Sequence, residues 1–187
     1  KIGAEVTKWK VGDRVCGLLG GGGYAEYCVT HEDMAILLPK NLSFVEGAAI
    51  PEVFLTAYQA LHWLAKIEAG EKILVHAGAS GVGTAAIQLI GLQGAECFVT
   101  ASAGKHQTCL DLGAKHAIDY KKDNFAEVVK GLTDGKGVQV IIDFIAAPYF
   151  QMNLDSLAVE GRLVMLSLIG GVKAEGVNLA PILRKRL

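Results

Sequence analysis

The segment Gly78-Ala79-Ser80-Gly81-Val82-Gly83 concentrates the residue types that hold a phosphate. It lies between the apolar run Lys72–Ala77 and a helix-patterned stretch from Val82 to Gln93. A helix starting there turns unpaired amides and the positive end of its dipole toward a diphosphate. In such a turn Gly78 permits the tight bend and Gly83 lets helix and strand approach closely. Ser80 stands where a middle glycine is usual, and its hydroxyl is able to donate to a phosphate oxygen. A helix-start turn without a ligand has a similar composition, but the strand–turn–helix setting favours a nucleotide.

A second group follows about 20 positions on, where an acidic residue would hold a ribose 2′-hydroxyl. The stretch Phe98 to Lys105 contains no carboxylate. Ser102 and Lys105 are suited instead to a 2′-phosphate, with Lys105 neutralising part of its charge. The alternative is a solvated lysine in the first turn of a helix, where a cation opposes the dipole. The expected cofactor is therefore NADPH.

These residues need a scaffold, and the chain supplies one from residue 72 onward. Short apolar runs at Lys72–Ala77, Cys97–Ala101, His116–Tyr120, Val138–Phe144 and Gly161–Leu168 read as strands. Helical segments alternate with them at 82–93, 105–112, 124–132 and 149–157. This cadence predicts an α/β fold with a doubly wound, parallel Rossmann sheet. The almost wholly apolar Val138–Phe144 fits a strand covered by helices on both faces. The first seventy residues differ in texture. Strands are expected at Val15–Leu19 and Tyr24–Val29, flanking a four-glycine loop. Ser43-Phe44-Val45-Glu46 matches a capping box, and Pro51 ends that helix or opens the next, which runs from about Val53 to Ala65. The expected division is residues 1–50, part of a β-rich substrate domain, and residues 51–187, the dinucleotide-binding domain.

Bulk properties narrow the partners. The chain has 187 residues, 51% of them hydrophobic, a formal net charge of -1 and a pI near 6.6. That balance offers neither a basic stripe for nucleic acid nor one for anionic membranes. No apolar run approaches the length of a membrane span, and no signal-peptide h-region opens the chain. Cys16, Cys28, Cys97 and Cys109 contain no C-x-x-C pair, and are expected to be reduced, buried thiols of a cytoplasmic protein.

Gly12-Asp13-Arg14-Val15, Gly23-Tyr24-Ala25-Glu26-Tyr27, Pro51 with Thr56-Ala57-Tyr58, and His76 through Gly83 occur in an order that resembles one family. It is the zinc-free quinone oxidoreductases of the medium-chain dehydrogenase/reductase superfamily. The resemblance covers essentially the whole chain and implies a GroES-like first domain. It further implies hydride transfer from NADPH to a quinone, in a homo-oligomeric cytoplasmic enzyme. By the same resemblance, Thr56 would approach the nicotinamide and Ser80, Gly81 and Val82 would bind the pyrophosphate. Ser102, Lys105 and Tyr120 would surround the adenosine 2′-phosphate and ribose. Phe144, Ile145 and Ala146, with Ser167, Leu168 and Ile169, would line the nicotinamide. Tyr120 is equally suited to capping the sheet with its ring, and Thr56 to bonding its own helix backbone. Measured against the family, the chain starts inside the first domain and stops before a sixth strand.

Zinc alcohol dehydrogenases are the competing members of that superfamily. The cysteines form two pairs twelve residues apart, and the five histidines fall on separate predicted elements. Neither arrangement supplies a converging ligand set, so no metal is expected. His76 is expected to be a hydrogen-bonded core residue. A non-catalytic NADPH-binding isoform, or a crystallin-like structural protein, would share the glycine turn and the cofactor pocket.

Overall fold

A computed structural model describes all 187 residues. They form two compact units, Lys1–Leu55 and Thr56–Leu187.

In the first unit, β1 (Val15–Gly17) pairs antiparallel with β2 (Ala35–Leu37), Cys16 opposite Ile36. β2 is not evident from the sequence, because three residues are too few to show an alternation. The expected strand Tyr24–Val29 does not form. Tyr24, Tyr27 and Val29 are almost fully exposed in an irregular segment. Their alternation has no neighbouring backbone to complete a ladder, and the preceding glycines favour an unordered chain. The capping box is present at the start of α1 (Phe44–Ala48): Ser43 Oγ accepts from the Glu46 amide at 3.2 Å. In return the Ser43 amide donates to Glu46 Oε2 at 2.7 Å. Hydrogen bonds from the Ser43 amide and hydroxyl hold the Glu46 carboxyl below its ordinary range.

Pro51 sits in the first turn of α2 (Ile50–Tyr58), the helix that crosses into the second unit. The expected continuation to Ala65 is a π-helical stretch, Gln59–Leu64. Strands and helices then alternate as β3 (Lys72–Val75), α3 (Gly81–Leu92), β4 (Glu96–Ala101), α4 (His106–Asp111), β5 (His116–Asp119), α5 (Phe125–Leu132), β6 (Val138–Asp143), α6 (Phe150–Ser156), β7 (Leu157–Met165) and α7 (Ala180–Lys185). The five strands make one parallel sheet in the order β5-β4-β3-β6-β7.

Successive residues of β3 and β6, such as Ile73, Leu74, Val75, Ile141 and Ile142, are buried alike. Both faces are therefore covered, as the continuous apolar pattern requires. Each such side chain contributes about 1.5–3 kcal/mol relative to exposure. On one face, Phe125 and Val129 of α5 pack with Leu74, Phe98, Ile118 and Ile141. α3 buries Ala85, Ala86, Ile87 and Ile90. β7 starts at Leu157, four residues earlier than expected, and its register against β6 shifts between Val138 and Val140. The left-handed Glu160 (φ 61°) falls inside this irregular stretch, which blurs the apolar pattern there.

Because the strands are parallel, their carboxyl ends share one rim. The chain winds outward from β3 through β4 to β5, then crosses back to β6 and winds out to β7. β3 and β6 thus flank the switch point, where open α/β sheets bind ligands.

Candidate functional site

The turn after β3 owes its shape to close contacts. A Cβ on Gly78 would lie 2.5 Å from Val99 Cβ, and one on Gly83 would lie 2.5 Å from the Ala77 carbonyl oxygen. Gly78 therefore serves the approach to β4, while the left-handed residue of the turn is Ala77, at φ 49°. Non-glycine residues adopt that region at a cost, and they cluster where function requires it. Ser80 caps α3: its Oγ accepts from the Gly83 amide at 3.1 Å, and its carbonyl accepts from Thr84 at 2.8 Å. The Gly81 and Val82 amides remain unpaired at the helix start, beside a Ser80 hydroxyl free to donate. These three donors lie in the first turn of α3, the segment to which the sequence assigns the diphosphate. Ser80→Ala removes the cap, worth about 1 kcal/mol, along with one donor. Dinucleotide affinity is expected to fall about tenfold by calorimetric titration; unchanged affinity would remove Ser80 from the site.

The adjoining cleft, about 190 Å³, is lined by Ala77, Ala79, Ser80, Ala101, Ser102, Lys105 and Tyr120. The structure thus brings together residues from the ends of β3, β4 and β5 that are widely separated in sequence. No carboxylate lines it. Lys105 ends a 3-10 turn, Ala103–Lys105, ahead of α4, where the sequence suggested the first turn of the α-helix. Its exposed ammonium forms no ion pair. Tyr120 follows β5 directly, is 44% exposed and stands in the cleft wall rather than in the core.

Beyond β6 and β7 the backbone is laced together. The amides of Leu166, Ile169 and Gly170 donate to the carbonyls of Asp143, Phe144 and Ile145 at 2.7, 3.2 and 2.8 Å. Ala146 is held left-handed at φ 69°. An apolar cleft of about 220 Å³ opens there between Ala146, Phe150, Met165, Leu168 and Val172. Of the expected nicotinamide-facing residues, Ala146 and Leu168 line this cleft. Ile145 and Ser167 are half-buried, Ile169 is exposed and the Phe144 ring is buried. Thr56 is half-buried on α2, lines neither cleft and makes no hydrogen bond through its hydroxyl.

Sequence reasoning missed a buried polar chain beneath the rim. His76 Nε2 lies 2.7 Å from Asn153 Oδ1, and His76 Nδ1 lies 3.0 Å from Thr100 Oγ1. Asn153 Nδ2 donates to Asp143 Oδ2 at 3.0 Å. All four side chains are buried. Burial pushes the His76 imidazole below its ordinary pKa, against opposing contributions from the Asn153 hydrogen bond and the Asp143 charge. Its ring is therefore neutral. His76 is a hydrogen-bonded core residue, as its lone position suggests; Asn153 and Asp143 offered only the faint signal of polar residues inside apolar elements.

A five-stranded parallel sheet carrying free amides at its first crossover helix, with a cationic cleft beside them, defines a dinucleotide-binding α/β domain. The chain belongs to the zinc-binding dehydrogenase family, whose model matches residues 81–187. It is 42% identical, over 88% of its length, to the phenolphthiocerol synthesis polyketide synthase Pks15/1 of Mycobacterium bovis. The chain spans only 8% of that relative. Among solved structures it is similar to the CurK enoyl reductase, with 37% identity and a TM-score of 0.87. It is also similar to a Pseudomonas syringae quinone oxidoreductase, with 35% identity and a TM-score of 0.82. Each match covers 99% of this chain, and 55% and 57% of the respective structures. A mycobacterial protein solved with NADPH matches at 32% identity and a TM-score of 0.85, over 98% of this chain and 58% of that one.

Zinc does not fit this chain's residues. No three His, Cys, Asp or Glu side chains converge on a point that could hold a metal ion. Cys97 and Cys109 are buried, and burial pushes both thiols up, away from the thiolate a metal needs. Cys16 is half-buried and Cys28 exposed, so the expectation of four buried thiols holds for two. No helix is long and apolar enough to cross a membrane.

Proposed function

We propose that this chain is the NADPH-binding part of a reductase that delivers hydride to a carbon–carbon double bond conjugated to a carbonyl. The observation that carries the reading is the cleft itself. Two free amides and a serine hydroxyl open α3, and the cleft beside Ser80 is lined by Ser102, Lys105 and Tyr120 without a carboxylate. Ser80, Gly81 and Val82 would hold the pyrophosphate, and Ser102, Lys105 and Tyr120 the adenosine 2′-phosphate and ribose. The segments Phe144–Ala146 and Ser167–Ile169 would flank the nicotinamide, with Thr56 approaching it from α2. When bound, the cofactor supplies the hydride. The chain's own residues would orient it, with the apolar cleft at Ala146, Phe150 and Leu168 beside the nicotinamide end. The Lys1–Leu55 unit contributes to a substrate domain.

An unsaturated thioester is the acceptor we favour, on the similarity to an enoyl reductase at 37% identity. A quinone, which presents the same conjugated system, is the second reading, on the similarity to a quinone oxidoreductase. Titration of the chain with NADPH and NADH tests the cofactor assignment, with NADPH expected to bind at least about tenfold more tightly. Equal affinities would defeat it. NADPH oxidation by the intact protein, followed with a crotonyl thioester and with an ortho-quinone, then separates the two acceptors.

A further inference from the structure

The buried chain Thr100–His76–Asn153–Asp143 admits one arrangement of protons. Asn153 donates its amide to Asp143, so its Oδ1 is left to accept. His76 Nε2, 2.7 Å away, must carry the proton, and the bare Nδ1 accepts the Thr100 hydroxyl. Asp143 continues the line outward: its Oδ1 accepts the Ile145 amide at 2.7 Å and the Ala146 amide at 3.2 Å. Ala146 is the left-handed residue of the loop after β6. Within the line, His76 is bonded through the backbone to Ala77, the left-handed residue of the phosphate turn, whose carbonyl accepts the Ser80 amide at 2.8 Å. One hydrogen-bonded line thus anchors both strained loops, one on each side of the switch point.

We propose that Asn153 and Asp143 are positioning residues for the nicotinamide end of the site. They hold the loop Phe144–Ala146 in the shape that receives the ring, and His76 keeps that loop in register with the phosphate turn. The inference rests on reading the cleft as an NADPH site. Stability alone does not account for the line, since well-packed apolar side chains commonly replace buried polar groups without loss. Here four polar residues are buried directly beneath the rim, and the Asp143 carboxylate is spent on the loop's two amides.

The test compares NADPH with adenosine 2′,5′-bisphosphate, which lacks the nicotinamide half. In Asn153→Leu, affinity for NADPH is expected to fall about tenfold, while affinity for the bisphosphate changes by less than about twofold. Asp143→Asn, which keeps the side-chain shape, carries the same expectation. Parallel losses for both ligands, or none for either, in a variant whose unfolding remains cooperative would overturn the proposal. The unsubstituted chain gives an independent readout through the nitrogen resonances of His76. They are expected to report the Nε2–H tautomer and to move on adding NADPH but not the bisphosphate; a signal indifferent to both overturns the inference even if neither variant folds. Failure of the unsubstituted chain to bind either ligand would instead sink the cofactor reading.

Discussion

A Gly83→Ala chain is expected to lose at least about a hundredfold in dinucleotide affinity and about 3 kcal/mol of stability. Its added methyl group would sit 2.5 Å from the Ala77 carbonyl oxygen and 2.7 Å from that of Gly78. Both are backbone atoms of the turn that aims the Gly81 and Val82 amides, so neither swings aside as a side chain would. Relief requires α3 to move off the sheet, and that displaces the donors from the diphosphate. Helix propensity acts in the opposite direction, since alanine is the better helix former by about 1 kcal/mol. A clash with two carbonyl oxygens outweighs it. Urea unfolding and NADPH titration of the variant check the two effects together. Normal binding at an unchanged midpoint would mean that the turn is not the phosphate cradle.

The second large effect is expected from Lys105→Glu: NADPH affinity falls about a hundredfold, while NADH affinity stays within about threefold. Lys105 is the only charged residue in the wall of its cleft, and no acidic side chain competes for it. Losing a charge-assisted hydrogen bond costs about 1.5–3 kcal/mol, and the new carboxylate repels a 2′-phosphate besides. NADH offers a neutral hydroxyl at that position and is indifferent or favoured. The informative quantity is the ratio of the two dissociation constants, because damage to the fold would shift both in parallel. An unchanged ratio would place the 2′-phosphate elsewhere.

Much of this site is legible in the sequence because its parts are local. The glycine turn, Ser80 and the strand before them are contiguous, and β4 follows at a spacing set by one crossover helix. The parallel, doubly wound character of the sheet follows from the same cadence, whereas the order β5-β4-β3-β6-β7 comes from the structure. What escaped was whatever depends on a distant partner. β2 exists only because Val15–Gly17 needs a ladder, whereas Tyr24–Val29 has the alternation but no strand beside it. The left-handed φ falls on Ala77 rather than a glycine, while Gly78 answers to the Val99 side chain on β4, which excludes a Cβ there. The polar line under the rim draws on residues 76, 100, 143 and 153, and no spacing rule connects them.

The placing of β3 also governs how the second unit comes together. As the chain is synthesised, β3 is made first of the five strands, and β4 and β5 then extend the sheet on one side. Its other edge stays open until Val140–Ile142 emerges to pair with Ile73–Val75. For more than sixty residues of translation, the apolar stretch Ile73–Val75 presents bare amides and carbonyls to whatever is near. Interruption within that interval would leave a half-sheet prone to mispairing and aggregation. Ribosome-bound chains stalled before β6 has left the exit tunnel should therefore be more protease-sensitive than chains stalled after β7 has left it.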